Sequence, residues 1–198
     1  MLTANGEGMV QRFEQALAFH CAPSMAGIKP ADLFSWGGEP EETQTLISRF
    51  SKRMEETGIR LRVLCFCRGR SLILVYRPGR LEQQLAMPEV RSLLQRDGYP
   101  VEQGQDAMLV RLAGRVLECG DSFPHEVGLF LGYPVEDVEG FRKNDGRGFK
   151  FCGLWKVYSD EERAKACFHR YACCRKALCR RVQSGCPLNQ VFRTNHAA

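Results

Sequence analysis

Apolar residues recur along much of the chain at the spacing of a helix, about every 3.6 residues. In the segment 9–20 one stripe carries Met9, Phe13, Leu17 and His20, which predicts a helix. The same spacing predicts further helices over the ranges 42–57, 80–86, 88–96, 105–117, 124–131, 134–144 and 160–181. The last is the longest, and Ser159 is expected to cap it.

Two aliphatic, strand-like segments, 59–67 and 71–77, are separated only by Arg68-Gly69-Arg70, which predicts a β-hairpin. Shorter strands are predicted near 31–36 and 151–158. The pattern therefore predicts an α+β fold: a small, mainly antiparallel sheet, made of the hairpin 59–77 and these two strands, packed with several helices that include a long C-terminal one. A nucleotide-binding α/β fold is not favoured, because the sequence has neither G-x-G-x-x-G nor a P-loop.

The 198 residues contain no internal repeat and no low-complexity linker. We predict a single domain, 1–198, in which the first eight or so and last twelve or so residues are loosely ordered. An apolar fraction of 44% and an aromatic fraction of 10% are typical of a globular protein. No apolar run approaches the roughly 20 residues of a membrane-spanning helix.

Residues 1–9 are polar and acidic and do not form a signal peptide, so we expect a cytoplasmic location. In that compartment the ten cysteines should be reduced thiols. They form no C-x-x-C, which argues against a zinc ribbon and against a thioredoxin-type redox pair. Those of the last helix, such as Cys167 and Cys174, are best interpreted as small apolar residues on a packing stripe.

Charge is divided unevenly along the chain. Residues 1–140 carry 15 Lys and Arg against 19 Asp and Glu, a net −4, whereas residues 141–198 carry 13 against 4, a net +9. The basic C-terminal helix is either a solvated face or a docking site for an acidic redox protein, such as a flavodoxin-like carrier. Nucleic-acid binding is not favoured because no motif supports it, and no membrane partner or oligomeric state is indicated.

Three segments, 20–31, 124–134 and 152–158, carry a family resemblance. The first reads HCAP followed by AGIKPA, the second PHE followed by LGYP, and the third CGLWKVY. Together they resemble an uncharacterised bacterial family, domain of unknown function 3793 (DUF3793). The resemblance implies a small cytosolic bacterial protein, and it implies neither a reaction nor any site residue.

His20 and Cys21 lie together at the predicted end of the first helix, before a turn that contains Pro23. A thiol beside an imidazole could be a reactive thiolate or a metal-binding pair. The negative end of a helix disfavours a thiolate, however. The alternative is therefore a histidine that caps the last carbonyl groups and a small buried cysteine.

His125 and Glu126 precede the predicted apolar helix 124–131. The helix N-terminus would stabilise the Glu126 anion, and His125 could be a neutral base or a ligand. They do not form the metal-binding H-E-x-x-H motif, because position 129 is Leu. A purely structural cap is an equally good interpretation.

On the predicted strand 151–158, alternation places Cys152, Leu154, Lys156 and Tyr158 on the same face. A lysine and a tyrosine two residues apart could form an acid–base or anion-binding pair. The alternative is a half-exposed face whose lysine and tyrosine simply extend into water.

Two hypotheses follow. The first is a domain with one polar Cys/His pocket for a small ligand, a metal or a redox cofactor, either a tetrapyrrole or a flavin. Its candidates include Lys29 and Tyr133, which lie in the quoted motifs, and the full set is His20, Cys21, Lys29, His125, Glu126, Tyr133, Cys152, Lys156 and Tyr158. Cys21, His125 and Cys152 are its weaker metal-ligand candidates. The second is a non-catalytic adaptor or regulator in redox or metal homeostasis, and whether the protein is an enzyme stays open.

Overall fold

The computed structural model describes residues 4–118 and 123–193, with side chains from Gly8 onward. The chain folds into two compact units, residues 1–78 with 171–198, and residues 79–170, and each unit is described by itself below. The single domain stays a prediction. The loose order expected for residues 1–3 and 194–198 falls outside the described residues, as does Cys119.

The first unit holds a three-stranded antiparallel sheet. Its helices are α1 (Ala4–His20), α2 (Ala22–Met25), α3 (Pro40–Arg53) and α10 (Leu188–Val191), and its strands are β1 (Ala31–Gly37), β2 (Arg60–Cys67) and β3 (Arg70–Tyr76). Strand β3 is central, in the order β1-β3-β2. The hairpin prediction is confirmed, and its two-residue turn has positive φ at Arg68 (52°) and Gly69 (70°). Positive φ at both turn positions matches the right-handed twist of the strands.

The core of the first unit forms around Phe13, whose side chain is fully buried. Its ring lies 5.5 Å from that of Phe50 and 5.0 Å from that of Trp36, in edge-on geometry. Leu17 and Ile73 belong to the same cluster. Phe13 and Leu17 of the stripe predicted for α1 therefore pack in a core shared with the sheet and α3, whereas His20, predicted on the same stripe, is exposed.

The second unit is mainly helical. It contains α5 (Pro88–Arg96), α6 (Gly104–Glu118), α7 (Val127–Phe130) and α8 (Val135–Lys143), most of α4 (Pro78–Leu85), and the two-residue strands β4 (Phe151–Cys152) and β5 (Lys156–Val157). Fully buried residues of α6 and α7 contribute to its core, among them Leu109, Leu112, Leu129 and Phe130. The boundary between the units falls inside the long helix α9 (Glu161–Gln183).

The α+β class is confirmed, but the segment 151–158 differs from the prediction. It is not one strand of the main sheet: β4 and β5 pair with each other, Phe151 with Val157 and Cys152 with Lys156, in a separate sheet. The chain turns at Gly153, where an added Cβ would lie 2.2 Å from the ring of Phe168. The predicted face shared by Cys152, Leu154, Lys156 and Tyr158 along one strand is therefore wrong.

Two helix starts also differ from expectation. The predicted helix 124–131 is shorter, Val127–Phe130, with no side-chain cap at Glu126. At the start of α9 the cap is Asp160 rather than Ser159, because an Asp160 carboxylate oxygen accepts a hydrogen bond of 2.9 Å from the Arg163 N–H. Across the described part of the chain, no helix has both the length and the apolar character needed to cross a membrane.

Candidate functional site

The nine candidate residues are shared between the two units. His20, Cys21 and Lys29 belong to the first, and His125, Glu126, Tyr133, Cys152, Lys156 and Tyr158 to the second. The described residues contain no group of three or more His, Cys, Asp or Glu that could hold a metal ion. A metal site made of Cys21, His125 and Cys152 therefore finds no support in the geometry.

Cys21 is fully buried in the first unit. Burial is the largest cause that raises the pKa of its thiol, the charge of Asp32 adds to the effect, and Lys29 acts in the opposite direction. Cys21 is therefore a neutral thiol, which matches the alternative of a small buried cysteine. His20 is exposed, its ring stacked 6.0 Å from that of Phe34 and edge-on to that of Phe19 at 4.9 Å.

Lys29 forms a buried ion pair with Asp32. The second carboxylate oxygen of Asp32 accepts a 3.0 Å hydrogen bond from the Ser24 N–H, and the Lys29 ammonium lies 5.9 Å from the centre of the Tyr171 ring. These contacts hold the turn between α2 and β1. Both charges are thus compensated within the turn, and Lys29 has the surroundings of a structural residue.

Glu126 lies in a buried charge network rather than at a ligand-facing cap. Its carboxylate accepts hydrogen bonds from the Tyr99 hydroxyl at 3.2 Å, from Arg115 Nε at 2.9 Å and from an Arg142 nitrogen at 3.2 Å. Arg142 also pairs with Asp97. Burial by itself would raise the pKa of Glu126, but the hydrogen bond from Arg115 and the two guanidinium charges outweigh burial and lower it.

Four of the other candidates meet at one cavity of about 330 Å³ in the second unit: His125, Tyr133, Cys152 and Lys156 all line it. Its walls come from three places, namely the start of α7, the helix α8 and the β4–β5 hairpin. Residues that sequence reasoning had not selected complete the lining, chiefly Phe123, Asp137, Phe141, Leu154 and Trp155. The cavity is the candidate site.

Aromatic rings form much of its wall. The Tyr133 ring stacks on Trp155 with centroids 4.6 Å apart and planes at 25°. The Trp155 ring meets Phe168 edge-on at 4.4 Å, and the ring of His125 lies 4.8 Å from that of Phe141. Stacked and edge-on contacts of this kind hold the rings in fixed orientations, so they offer a preformed apolar surface to a ligand.

Asp137 fixes this arrangement. Its side chain is buried, and one carboxylate oxygen accepts hydrogen bonds of 2.8 Å from the N–H groups of both Tyr158 and Ser159. The other accepts a 2.7 Å bond from the Trp155 indole N–H. Asp137 thereby joins α8 to the hairpin and orients the Trp155 ring that lines the cavity.

Lys156 and Cys152 place polar groups at the cavity. They are direct partners across the β4–β5 pair, which brings their side chains next to each other. The Lys156 ammonium donates a 2.8 Å hydrogen bond to the Gly146 carbonyl and lies 5.4 Å from the centre of the Phe141 ring. An ammonium has three donors, so hydrogen-bonding capacity remains for a ligand.

Tyr158 does not line the cavity. Its ring packs on Gly140 of α8, where an added Cβ would lie only 2.5 Å from the Tyr158 Cγ. Burial and the charge of Asp137 raise the pKa of the Tyr158 hydroxyl. The acid–base pair predicted for Tyr158 and Lys156 assumed a single strand over 151–158, which the fold does not contain. Tyr158 instead packs the end of the hairpin against α8.

The sequence offered partial signals for the residues it missed. Trp155 lies inside the CGLWKVY segment, and a tryptophan directly before a lysine suggests an apolar wall beside a charged group of a ligand site. Asp137 resembled any acidic residue in the first turn of a helix. Its contacts with Trp155, Tyr158 and Ser159 span about 20 residues of chain and depend on tertiary structure.

The family comparison confirms the family that the sequence resembles. Residues 17–192 match the model of a family described as protein of unknown function (DUF3793), and the chain belongs to that family. No curated protein matches the chain, and no solved structure does.

Proposed function

We propose that the second unit is a binding module for a planar aromatic ligand with an acidic group, held in the cavity between α7, α8 and the β4–β5 hairpin. The observation that carries the proposal is the convergence of His125, Cys152 and Lys156 with the stacked pair Tyr133 and Trp155 on one cavity. Fixed aromatic walls with a few placed polar groups are typical of small-molecule sites.

The walls select the shape of the ligand. The indole of Trp155 is oriented by Asp137 and packed by Phe168, so a flat ring can stack on a surface already in place. At about 330 Å³ the cavity is at the lower end of the roughly 300–1,000 Å³ range of ligand pockets. This size suits a compact ring system such as that of a flavin better than a tetrapyrrole macrocycle.

The polar groups select the charge of the ligand. Lys156 carries a positive charge at the cavity, and His125 adds two ring nitrogens that can donate or accept a proton. Among the described residues of the lining, Asp137 is the one acidic side chain, and its carboxylate already accepts hydrogen bonds from three donors. A carboxylate or phosphate is therefore favoured over a cationic group.

The test is titration of the full-length chain with flavin mononucleotide, followed through flavin fluorescence, with riboflavin and protoporphyrin IX as comparison ligands. We expect flavin mononucleotide to bind most tightly, riboflavin more weakly because it lacks the phosphate, and protoporphyrin weakest. Lys156→Gln should weaken binding of the phosphorylated ligand by about tenfold, the loss of one charge-assisted hydrogen bond.

Lys143→Gln is the matched control. Lys143 lies on α8, in the same unit and exposed, but it does not line the cavity. The proposal fails if Lys143→Gln and Lys156→Gln weaken binding equally, or if none of the three ligands binds.

A second candidate function is suggested by the last helix. The sequence carries no Asp or Glu after Glu162, and the exposed Lys176, Arg180 and Arg181 have no acidic partner among the described residues. This supports an adaptor or regulator in redox or metal homeostasis that docks an acidic redox protein on α9. Binding to a flavodoxin-like carrier should weaken steeply between low and moderate salt, and binding unaffected by charge reversal at these three positions would exclude the model.

We place either function in the bacterial cytoplasm. The nine cysteines among the described residues form no disulfide, which supports this location because reduced thiols are the usual state there. Fractionation of a native source, with blotting of the cytoplasmic and envelope fractions, tests the proposed location.

A further inference from the structure

The first unit contains a larger cavity, of about 640 Å³, that is not part of the site proposed above. It lies among α1, α3 and the end of α9, and the turn Gly185–Pro187 closes one side. Apolar side chains supply its interior, with Val10 from α1, Leu46 and Phe50 from α3, and Val182 from α9.

Charged side chains lie at the cavity beside this apolar interior. They are the basic residues Arg49, Lys52 and Arg53 of α3 and the acidic residue Glu14 of α1. A Glu14 carboxylate oxygen lies 3.0 Å from an Arg53 nitrogen, close enough for an ion pair but without the alignment of a hydrogen bond. The other oxygen accepts a bond of 3.4 Å from the Leu188 N–H.

Glu14 and Arg53 therefore compensate each other, and two positive charges remain. Arg49 and Lys52 are exposed and have no acidic partner among the described residues. Because they lie three positions apart on one helix, both can reach the same group at the mouth of the cavity. An apolar interior with an excess of positive charge at its rim fits a molecule with an apolar tail and a negative head.

The geometry points to a second ligand site, in which this cavity binds an amphiphilic anion of the acyl carboxylate class. The tail occupies the space between Val10, Leu46 and Val182, and the carboxylate meets Arg49 and Lys52. Burial of the tail supplies most of the affinity, since exposed ion pairs contribute little. The charges of Arg49 and Lys52 then make an acid bind more tightly than an alcohol or an amine with the same apolar tail.

The experiment is isothermal titration of the full-length chain with octanoate, decanoate and dodecanoate below their aggregation concentrations. Each added methylene should tighten binding by about three- to fourfold, as expected for an apolar chain that leaves water. Decanol should bind about three- to tenfold more weakly than decanoate, and decyltrimethylammonium more weakly still. An equal affinity for the acid and the ammonium compound would overturn the assignment.

Two variants locate the site. Val10→Phe adds volume at the half-buried wall of α1 and should abolish decanoate binding, whereas wild-type affinity in this variant would contradict the proposal. The double variant Arg49→Gln/Lys52→Gln should bring the decanoate affinity down to that for decanol. Its matched control is Arg12→Gln/Arg60→Gln, which removes two exposed charges of the first unit outside the cavity and should bind decanoate normally.

The same head-group chemistry occurs in free acids and in anionic lipid surfaces. Sedimentation with phosphatidylglycerol vesicles separates the two sources. Binding of free decanoate without sedimentation on vesicles supports a soluble ligand. Binding of both decanoate and vesicles, with vesicle binding lost in Val10→Phe, supports extraction of an acyl chain from lipid. Sedimentation without any binding of free decanoate would overturn the cavity site.

Discussion

Two regions of the molecule contain candidate polar residues, and they differ in whether those residues are buried or line a cavity. In the turn from Cys21 to Asp32 the charges are buried and compensate each other, and the thiol of Cys21 has no access to water. Around the β4–β5 hairpin Asp137 is buried and holds α8 to the hairpin, while Lys156 and His125 line a cavity. The comparison teaches that an unusual polar residue indicates a binding site only when other residues make the hydrogen bonds that hold the fold together, so that its own polar group can face a ligand.

The largest effect should come from the closed pair of the first unit. Asp32→Ala leaves the Lys29 ammonium buried without its carboxylate and removes the acceptor of the Ser24 N–H. Breaking a buried ion pair from one side costs about 3–5 kcal/mol. Urea unfolding should show that loss in the free energy of unfolding.

The double variant Lys29→Met/Asp32→Leu is the control for this prediction. It removes both charges together, so it should recover much of the stability lost in Asp32→Ala. A loss below about 1 kcal/mol in the single variant would instead place the pair in the range of an exposed salt bridge, and the first half of the comparison would then be wrong.

A smaller loss is expected when the organiser of the second unit is removed. Asp137→Ala takes the acceptor from the Trp155 indole and from two backbone N–H groups. We expect a cost of about 2–3 kcal/mol, typical of hydrogen bonds to a charged group. The tryptophan fluorescence of the folded protein should also change, because Trp155 loses its fixed orientation.

Ligand binding provides the readout that distinguishes this variant from a merely destabilised protein. Asp137→Ala should lose flavin mononucleotide affinity at temperatures where circular dichroism shows the chain fully folded. Unchanged affinity in the folded variant would mean that the hairpin keeps the cavity without Asp137.

The difference between the two regions also marks how far the sequence could be interpreted. Local patterns were sufficient for α1, α3 and the β2–β3 hairpin, because helix periodicity and a two-residue turn act within a few residues. The prediction of a single strand over 151–158 was wrong. Its alternation matched a strand, whereas the close contact between Gly153 and the ring of Phe168 is compatible with a turn there. No local rule contains that contact.

The same limit applied to the candidate sites. His125, Tyr133, Cys152 and Lys156 could be selected by residue type, and they do meet at one cavity. Glu126 was selected by the same reasoning, but two arginines from distant positions compensate its charge and a tyrosine hydroxyl donates a further hydrogen bond. Residue type and helix position suggested both outcomes equally well, and only the tertiary partners distinguish a ligand-facing group from a buried one.

Glu126 makes the comparison testable through pH. Its pKa is lowered in the folded chain, because the hydrogen bond from Arg115 and the charge of Arg142 outweigh burial. A lowered pKa contributes stability that is fully present above the unfolded value of about 4.3 and is lost as pH falls through the folded value. The free energy of unfolding should therefore fall below about pH 4.3.

Glu126→Gln isolates this contribution. It should cost about 1–2 kcal/mol at pH 7, the loss of charge in hydrogen bonds to two guanidinium groups. Because glutamine does not titrate, the variant should lose less stability than the wild type between pH 5 and pH 3. Identical acid dependence in the two proteins would mean that Glu126 is not the group responsible.

The smallest change in stability should come from Cys152, and its thiol should contrast most sharply with that of Cys21. Cys152 is exposed at the cavity, so Cys152→Ser should alter the free energy of unfolding by no more than about 0.5 kcal/mol.

The Cys152 thiol should react readily with iodoacetamide in the folded protein, as measured by peptide mass spectrometry. Burial raises the pKa of the Cys21 thiol and keeps its sulfur from the reagent, so Cys21 should react much more slowly than Cys152. Flavin mononucleotide should slow the labelling of Cys152 and leave that of Cys21 unchanged, because only the region with an open cavity can be covered by a ligand. Equal labelling of both thiols in the folded chain would remove the distinction between a closed polar turn and an open polar site.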